Sequence, residues 1–217
     1  MSEQTTAGKL QTEQLIADVL GTIDRERERE IVARRFGLFD RKETLEQIGE
    51  LLGITRERVR QLEKSVVTRL KTTAEQQSLP QVDQFQTDVV AYLETVGGVA
   101  RVSNLTAELV DDANRIEQAR VSFLSQLCPQ LLVLTEDDHF YNSVALKDSR
   151  DEKQLKAAVA TVIDAVKKLG EPKEIGAVAA EAGMNDAKEV EALASTSKQL
   201  ATLNGRWGLI KWPMVNP

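Results

Sequence analysis

Aromatic side chains are scarce in this 217-residue chain: two Trp, two Tyr and five Phe make up 4% of it. So few flat rings argue against a base-stacking platform for single-stranded nucleic acid and fit small domains with aliphatic cores. A single cysteine, Cys128, excludes an internal disulfide. Together with a single histidine, His139, it leaves too few soft ligands for a four-ligand zinc site, so no metal is expected. No apolar run reaches the roughly 18 residues of a membrane span, and the start, Met1-Ser2-Glu3-Gln4, lacks the basic and then apolar regions of a secretion signal. No membrane partner is expected, and a cytoplasmic location is. Missing too are Ser/His/Asp, Cys/His and paired-carboxylate arrangements, and any glycine-rich phosphate loop after a strand. These absences predict neither an enzyme nor a cofactor.

What is present describes a globular chain of several small domains, with 41% hydrophobic and 29% charged residues. The net charge of −6 discourages nucleic-acid binding only as an average. Lys+Arg against Asp+Glu is 14 and 14 over residues 1–78, 4 and 11 over 79–149, and 10 and 9 over 150–217. The acidity is confined to the middle. Between Ile54 and Lys71 stand Arg56, Arg58, Arg60, Lys64, Arg69 and Lys71 against only Glu57 and Glu63, a stretch suited to phosphates.

Polar stretches around 72–80 and 147–151 divide the chain into three expected domains, 1–75, 82–148 and 150–217. In the first, apolar residues recur at helical spacing in Leu10 to Leu20, in Ile31, Val32 and Phe36, in Leu45 to Leu52 and in Val59 to Leu70. Asp24 is the expected cap of the helix that runs to Phe36, and Gly37 its stop. The other two segments read as a divergent repeat of three helices and a β-hairpin. The helices are Phe85 to Val96, Val102 to Val110 and Arg115 to Leu127, then Glu152 to Leu169, Lys173 to Ala182 and Asp186 to Thr196. The hairpins are Leu131 to Thr135 with Phe140 to Ala145, and Leu200 to Leu203 with Trp207 to Trp212, the second turning at Asn204-Gly205. The predicted fold is mainly α: a helix-turn-helix domain followed by two small winged-helix domains.

The sharpest local signal runs from Thr44 to Glu63. Ile48, Leu52, Val59 and Leu62 supply a shared interior, Gly49 allows close helix approach, Gly53 suits a sharp turn, and Thr55 caps the next helix. The outer face of that helix carries Arg56, Glu57, Arg60, Gln61 and Lys64, with Arg58 at the flank. Arginine pairs with guanine, glutamine with adenine, and glutamate accepts from the cytosine amino group, so this face has base-reading chemistry beyond its charge.

Residues 27–38 (Arg27-Glu28-Arg29-Glu30-Ile31 through Arg35-Phe36-Gly37-Leu38), with Thr44-Leu45-Glu46-Gln47-Ile48-Gly49 and Thr55 to Glu63, closely resemble region 4 of the sigma-70 family of bacterial sigma factors. The resemblance covers residues 18 to 71. It implies a module that binds the promoter −35 element as double-stranded DNA and docks on the β-subunit flap of RNA polymerase. On that basis Arg56, Glu57 and Gln61 are base readers, Thr55 caps the reading helix, and Arg58, Arg60 and Lys64 stand at backbone or activator contacts. The polymerase surface is expected near Ile31, Phe36, Leu38 and Leu45. Two departures limit the likeness: nothing resembles the promoter-melting region 2, and the family's usual Leu-Thr-Pro helix start is replaced by Asp24-Arg25-Glu26. A region-4 module reused in a regulator is expected, without promoter opening of its own.

For the acidic middle segment, with Glu136-Asp137-Asp138 at its hairpin tip, repulsion from phosphates favours protein contact. At the level of fold it resembles the acidic winged-helix domain of the polymerase delta subunit. The alternative function is therefore a polymerase-associated, delta-like or anti-sigma-like interaction factor with little DNA affinity; a dimeric phage-type repressor is a third reading. Arg206, Trp207, Lys211 and Trp212 on the last hairpin either enter a groove or pack beneath the wing, with packing favoured for the tryptophans. Cys128 is expected to be a buried small hydrophobe and His139 to sit in a solvated turn.

Overall fold

The computed structural model describes residues 9–216 and is mainly helical, with two small antiparallel sheets. The chain divides into two compact units. One runs to Asp83 and takes in Ser103–Leu127, and the other comprises Gln84–Val102 and the chain from Cys128 onward. This division differs from the expected 1–75, 82–148 and 150–217, because the helices of residues 103–127 belong with the N-terminal helices.

The first unit contains α1 (Thr12–Gly21), α2 (Glu26–Phe36), α3 (Leu45–Leu52), α4 (Arg56–Glu75), the start of α5 (Pro80–Val96), nearly all of α6 (Val102–Leu109), and α7 (Arg115–Leu127). Asp24 does not cap α2. Arg25 is the N-cap residue and no side chain closes the end. The preceding turn is held by a cation instead, as the Arg29 guanidinium donates to the carbonyl oxygens of Ile23 and Asp24. Gly37, with φ +66°, stops α2 as expected. Ile31, Leu45, Ile48 and Val59 form the interior between α2, α3 and α4, with Leu52, Ile54 and Leu62 packed against it. Burial of one such aliphatic side chain contributes about 1.5–3 kcal/mol.

A second layer closes this unit from behind, where α7 packs on α1, α2 and α4. The Phe123 ring lies 4.9 Å from that of Phe36, measured between centroids. Arg120, although charged, is buried; its Nε donates to the Leu38 carbonyl oxygen at 2.8 Å and Nη1 to Thr12 Oγ1 at 3.3 Å. A buried guanidinium is tolerated because carbonyl, hydroxyl and the Glu117 carboxylate at 3.4 Å all meet it.

The second unit holds two sheets of the same plan. In the first, β1 (Val99–Arg101) and β2 (Leu131–Leu134) flank β3 (Ser143–Leu146); in the second, β4 (Lys173–Glu174) and β5 (Leu200–Leu203) flank β6 (Arg206–Leu209). Every pairing is antiparallel. Helices α8 (Glu152–Leu169), α9 (Ile175–Ala182) and α10 (Ala187–Ser195) complete the second half. Asp151 and Gln154 form a reciprocal capping box at the start of α8. Asn204 and Gly205 take φ +52° and +76°, the double left-handed turn that an Asn-Gly hairpin requires.

Strands β1 and β4 have no counterpart in the sequence pattern, and β4 takes the first two residues of the expected 173–182 helix. The third strand begins at Ser143, not Phe140, because Phe140 is diverted into a bridge with Ser197. Around that bridge the Tyr141 N–H donates to Thr196 O, the Lys198 N–H to His139 O, and the Arg101 guanidinium lies 3.8 Å over the Tyr141 ring. The two sheet modules are thereby joined within one unit, and they share a core running from Val99, Leu134 and Ala145 to Val190, Leu193 and Trp207. Trp207 is buried and Trp212 is half-buried against the same core, so both tryptophans pack. Cys128 is buried and His139 exposed.

Candidate nucleic-acid interface

The site is built by the turn from α3 into α4. Thr44 and Gln47 close the N-terminus of α3 with a reciprocal capping box. Gly49 is required by space, since a Cβ there would stand 2.7 Å from the Ile54 carbonyl oxygen. Gly53, at φ +68°, ends α3 in the left-handed region, where a side chain is strained. Thr55 then caps α4: its Oγ1 accepts from the Arg58 N–H at 3.1 Å. With Val59, Val66, Val67 and Leu70 turned inward, the helical period turns the intervening residues out.

All seven residues expected to face DNA are exposed: Thr55, Arg56, Glu57, Arg58, Arg60, Gln61 and Lys64. They occupy the cap and the first turns of α4. Their charges are partly organised in advance. Arg56 Nη1 lies 2.8 Å from Glu46 Oε1 on α3, and Arg60 Nη2 lies 2.6 Å from Glu57 Oε1. Hydrogen bonding from Arg60 holds the Glu57 carboxyl below its usual range, and the same bond raises Arg60. Such exposed pairs add little stability, but they fix where the guanidinium groups stand. Glu46 is a residue that motif reasoning passes over; its place in the first turn of α3 is the signal that it faces the start of α4.

The residues expected at a polymerase contact lie elsewhere. Ile31, Leu38 and Leu45 are buried, and Phe36 is half-buried against Phe123. Ile31, Leu38 and Leu45 serve the interior, and Phe36 alone of the four keeps part of its ring in solvent. Among the described residues of this unit, the large apolar side chains that remain exposed are Phe39 and Leu51.

On the other flank of α4, Glu28 of α2 is a buried carboxylate held by Arg69 of α4, with Arg25 at 3.9 Å. Arg58, Gln61 and Ser65 line the cleft beside this pair. In the second unit, Glu136, Asp137 and Asp138 are exposed, and the Asp137 carboxyl is held below its usual range by the backbone N–H groups of His139 and Phe140. Arg206 and Lys211 are exposed at the last hairpin. Among the described residues no helix is long and apolar enough to cross a membrane.

Comparison with known proteins agrees with this geometry over the same stretch. Residues 25–72 match the family model described as Sigma-70, region 4. RNA polymerase sigma factor SigA of a Bacillus species is 47% identical over 66 residues, 30% of this chain and 17% of that protein. RNA polymerase sigma factor sigB of Arabidopsis thaliana is 43% identical over 67 residues, 30% of this chain and 11% of the relative. RpoD of Helicobacter pylori (strain ATCC 700392 / 26695) is 44% identical over 64 residues, 28% and 10% respectively. The chain therefore spans less than a fifth of each of these relatives, and the likeness lies within the helix-turn-helix unit.

Proposed function

We propose that this chain is a non-enzymatic, cytoplasmic DNA-binding transcription regulator. Its α3–α4 helix-turn-helix reads a −35-like element of double-stranded promoter DNA and works together with RNA polymerase. The observation that carries the reading is the outward display of Arg56, Glu57, Arg60 and Gln61 on α4, behind a Thr55 cap and a glycine turn, within the stretch similar to sigma region 4. In this reading Arg56, Glu57 and Gln61 meet base edges in the major groove, while Arg58, Arg60 and Lys64 meet backbone or a neighbouring protein. No cofactor and no metal enter it. The repeated order of elements along the chain, helix, strand, two helices and two strands, with each sheet ordered first-third-second strand, supports a reading as two winged-helix modules acting as a protein scaffold.

Titration of a −35-like duplex with the full chain and with Arg56→Ala and Gln61→Ala tests direct readout. Removal of each bidentate pairing is expected to weaken binding by about 1–3 kcal/mol and to relax preference at one base pair. Equal binding by all three proteins would sink it.

A second reading is favoured by the charge of the middle segment, 4 basic against 11 acidic residues over 79–149. In it the chain is a polymerase-associated interaction factor with little DNA affinity. Because Ile31, Leu38 and Leu45 are interior, docking on the β flap would then use exposed groups such as Phe39 and Leu51. Capture of core polymerase that survives Arg60→Ala and Lys64→Ala and resists added salt would support it, since phosphate binding weakens steeply as salt rises.

A further inference from the structure

We propose that Arg25, Arg58 and Arg69 form a clamp for the sugar–phosphate backbone on the flank of α4, braced from beneath by the buried carboxylate of Glu28. The inference rests on the DNA-reading role above, which already gives Arg58 a backbone contact, and adds Arg25, Arg69 and their common brace to it. Glu28 is the only acid the second helix turns inward, and its side chain is 7% exposed. A carboxylate so enclosed is costly without a partner, and Arg69 of α4 supplies a direct hydrogen bond. That bond crosses from α2 to α4 and fixes where the Arg69 guanidinium stands.

The brace does not consume the arginines. Arg69 keeps 57% of its side-chain surface in solvent and Arg25 keeps 80%. Each guanidinium carries five donors in a planar fork, so one edge turned to Glu28 leaves another edge for a phosphate. Arg58, Ser65 and Arg69 stand at intervals of seven and four along α4 and so share one stripe of the helix. Gln61 lines the same cleft and also belongs to the reading face, which makes the two zones continuous. Asp24 and Glu28 are the acids at the cleft; with Glu28 enclosed, three arginines face solvent against one open carboxylate. Phosphate contacts of this kind set the register of a reading helix without contributing base preference, and planar guanidinium groups suit them.

The test is the salt dependence of binding by the full chain to two duplexes of equal length, one −35-like and one scrambled. Two variants remove the clamp: Arg25→Ala, at a position open to solvent, and the paired change Glu28→Gln with Arg69→Gln, which leaves no buried charge unpartnered. Circular dichroism melts establish that both remain folded. Each variant is expected to weaken binding to both duplexes by the same factor and to flatten the slope of log K against log salt by about 0.9 for each phosphate no longer neutralised. Unchanged affinity and slope in both variants would overturn the clamp, as would a loss confined to the −35-like duplex. Arg56→Ala and Gln61→Ala, run alongside, separate the two ideas. Base preference unaffected by them, with a flattened slope in the clamp variants, would remove direct readout and leave the clamp standing. No binding by the wild-type chain to either duplex would remove both.

Discussion

Helices α4 and α10 start alike and end differently. Both follow a turn containing a left-handed glycine, Gly53 or Gly183, and both have a side chain capping the first turn, Thr55 or Asp186. On α4 the opening turns leave Arg56, Glu57, Arg58, Arg60, Gln61 and Lys64 in solvent, and Val59, with the half-buried Leu62, points in before Val66. Helix α10 buries Val190, Ala192, Leu193 and Ala194, which lie around most of its circumference, and it packs against α8, α9 and β1. Lys188 and Glu191 are what it leaves exposed, a stripe of opposite charges. A helix reads a groove through the face that packing leaves free, so the same local plan produces a candidate reader in one unit and a structural strut in the other.

The most disruptive way to break that comparison is to disturb the packing that frees α4. Arg120→Ala removes the donor to the Leu38 carbonyl and the bond to Thr12, and leaves both acceptors buried. The expected loss is about 2–4 kcal/mol of stability, read as a lower denaturant midpoint in urea titrations. A midpoint within experimental error of wild type would mean that α7 contributes little to holding the N-terminal helices. Gly49→Ala comes next. The new Cβ would meet the Ile54 carbonyl at 2.7 Å, so the turn between α3 and α4 must widen, at a cost of about 1–3 kcal/mol. DNA affinity should fall with it, because the reading helix is re-aimed.

Thr55→Ala sharpens the comparison at smaller scale. It removes the acceptor of the Arg58 N–H and should cost about 1 kcal/mol, with a matching loss in DNA titrations as the first turn frays. The corresponding change on the strut helix, Asp186→Ala, is expected to cost about as much stability and nothing in DNA affinity. An equal loss of DNA binding from both would place α10 in the interface and collapse the distinction.

Much of α3 and α4 is legible in the sequence because the decisive signals are local. The Thr55 cap, the Gly53 stop and the spacing of Ile48, Val59 and Leu62 each act over a few residues, and all appear where the pattern puts them. What the pattern misses depends on distance in the chain. The Arg120 bond to Leu38 spans 82 residues, so nothing near either residue announces that α7 belongs with the N-terminal helices or that Leu38 is interior. Strands β1 and β4 are three and two residues long, too short for an alternating pattern to register, and exist because β3 and β6 give them partners. Phe140 has the aromatic propensity of a strand residue, and a tertiary bridge to Ser197 takes it elsewhere. Asp24 matches the composition of a cap, while Arg29 already fills that turn.

The smallest expected effect concerns protonation of the reading face. Glu57 is solvated, and the hydrogen bond from Arg60 depresses its folded pKa below that of an ordinary, unfolded glutamate. A depressed carboxyl stabilises the fold above the unfolded pKa and loses that contribution as pH falls through the folded one, so the Glu57–Arg60 pair is intact at neutral pH and opens only in acid. Full exposure keeps the stability change small, and salt screens it further. The measurable consequence is local: in carboxyl-detected NMR, Glu57 should titrate below an ordinary glutamate, and Arg60→Ala should return it towards the ordinary range. A Glu57 that titrates normally in the wild-type chain would mean that Arg60 stands free of it in solution. The reading face would then meet DNA with an unrestrained arginine, not with one already oriented by its neighbour one turn earlier.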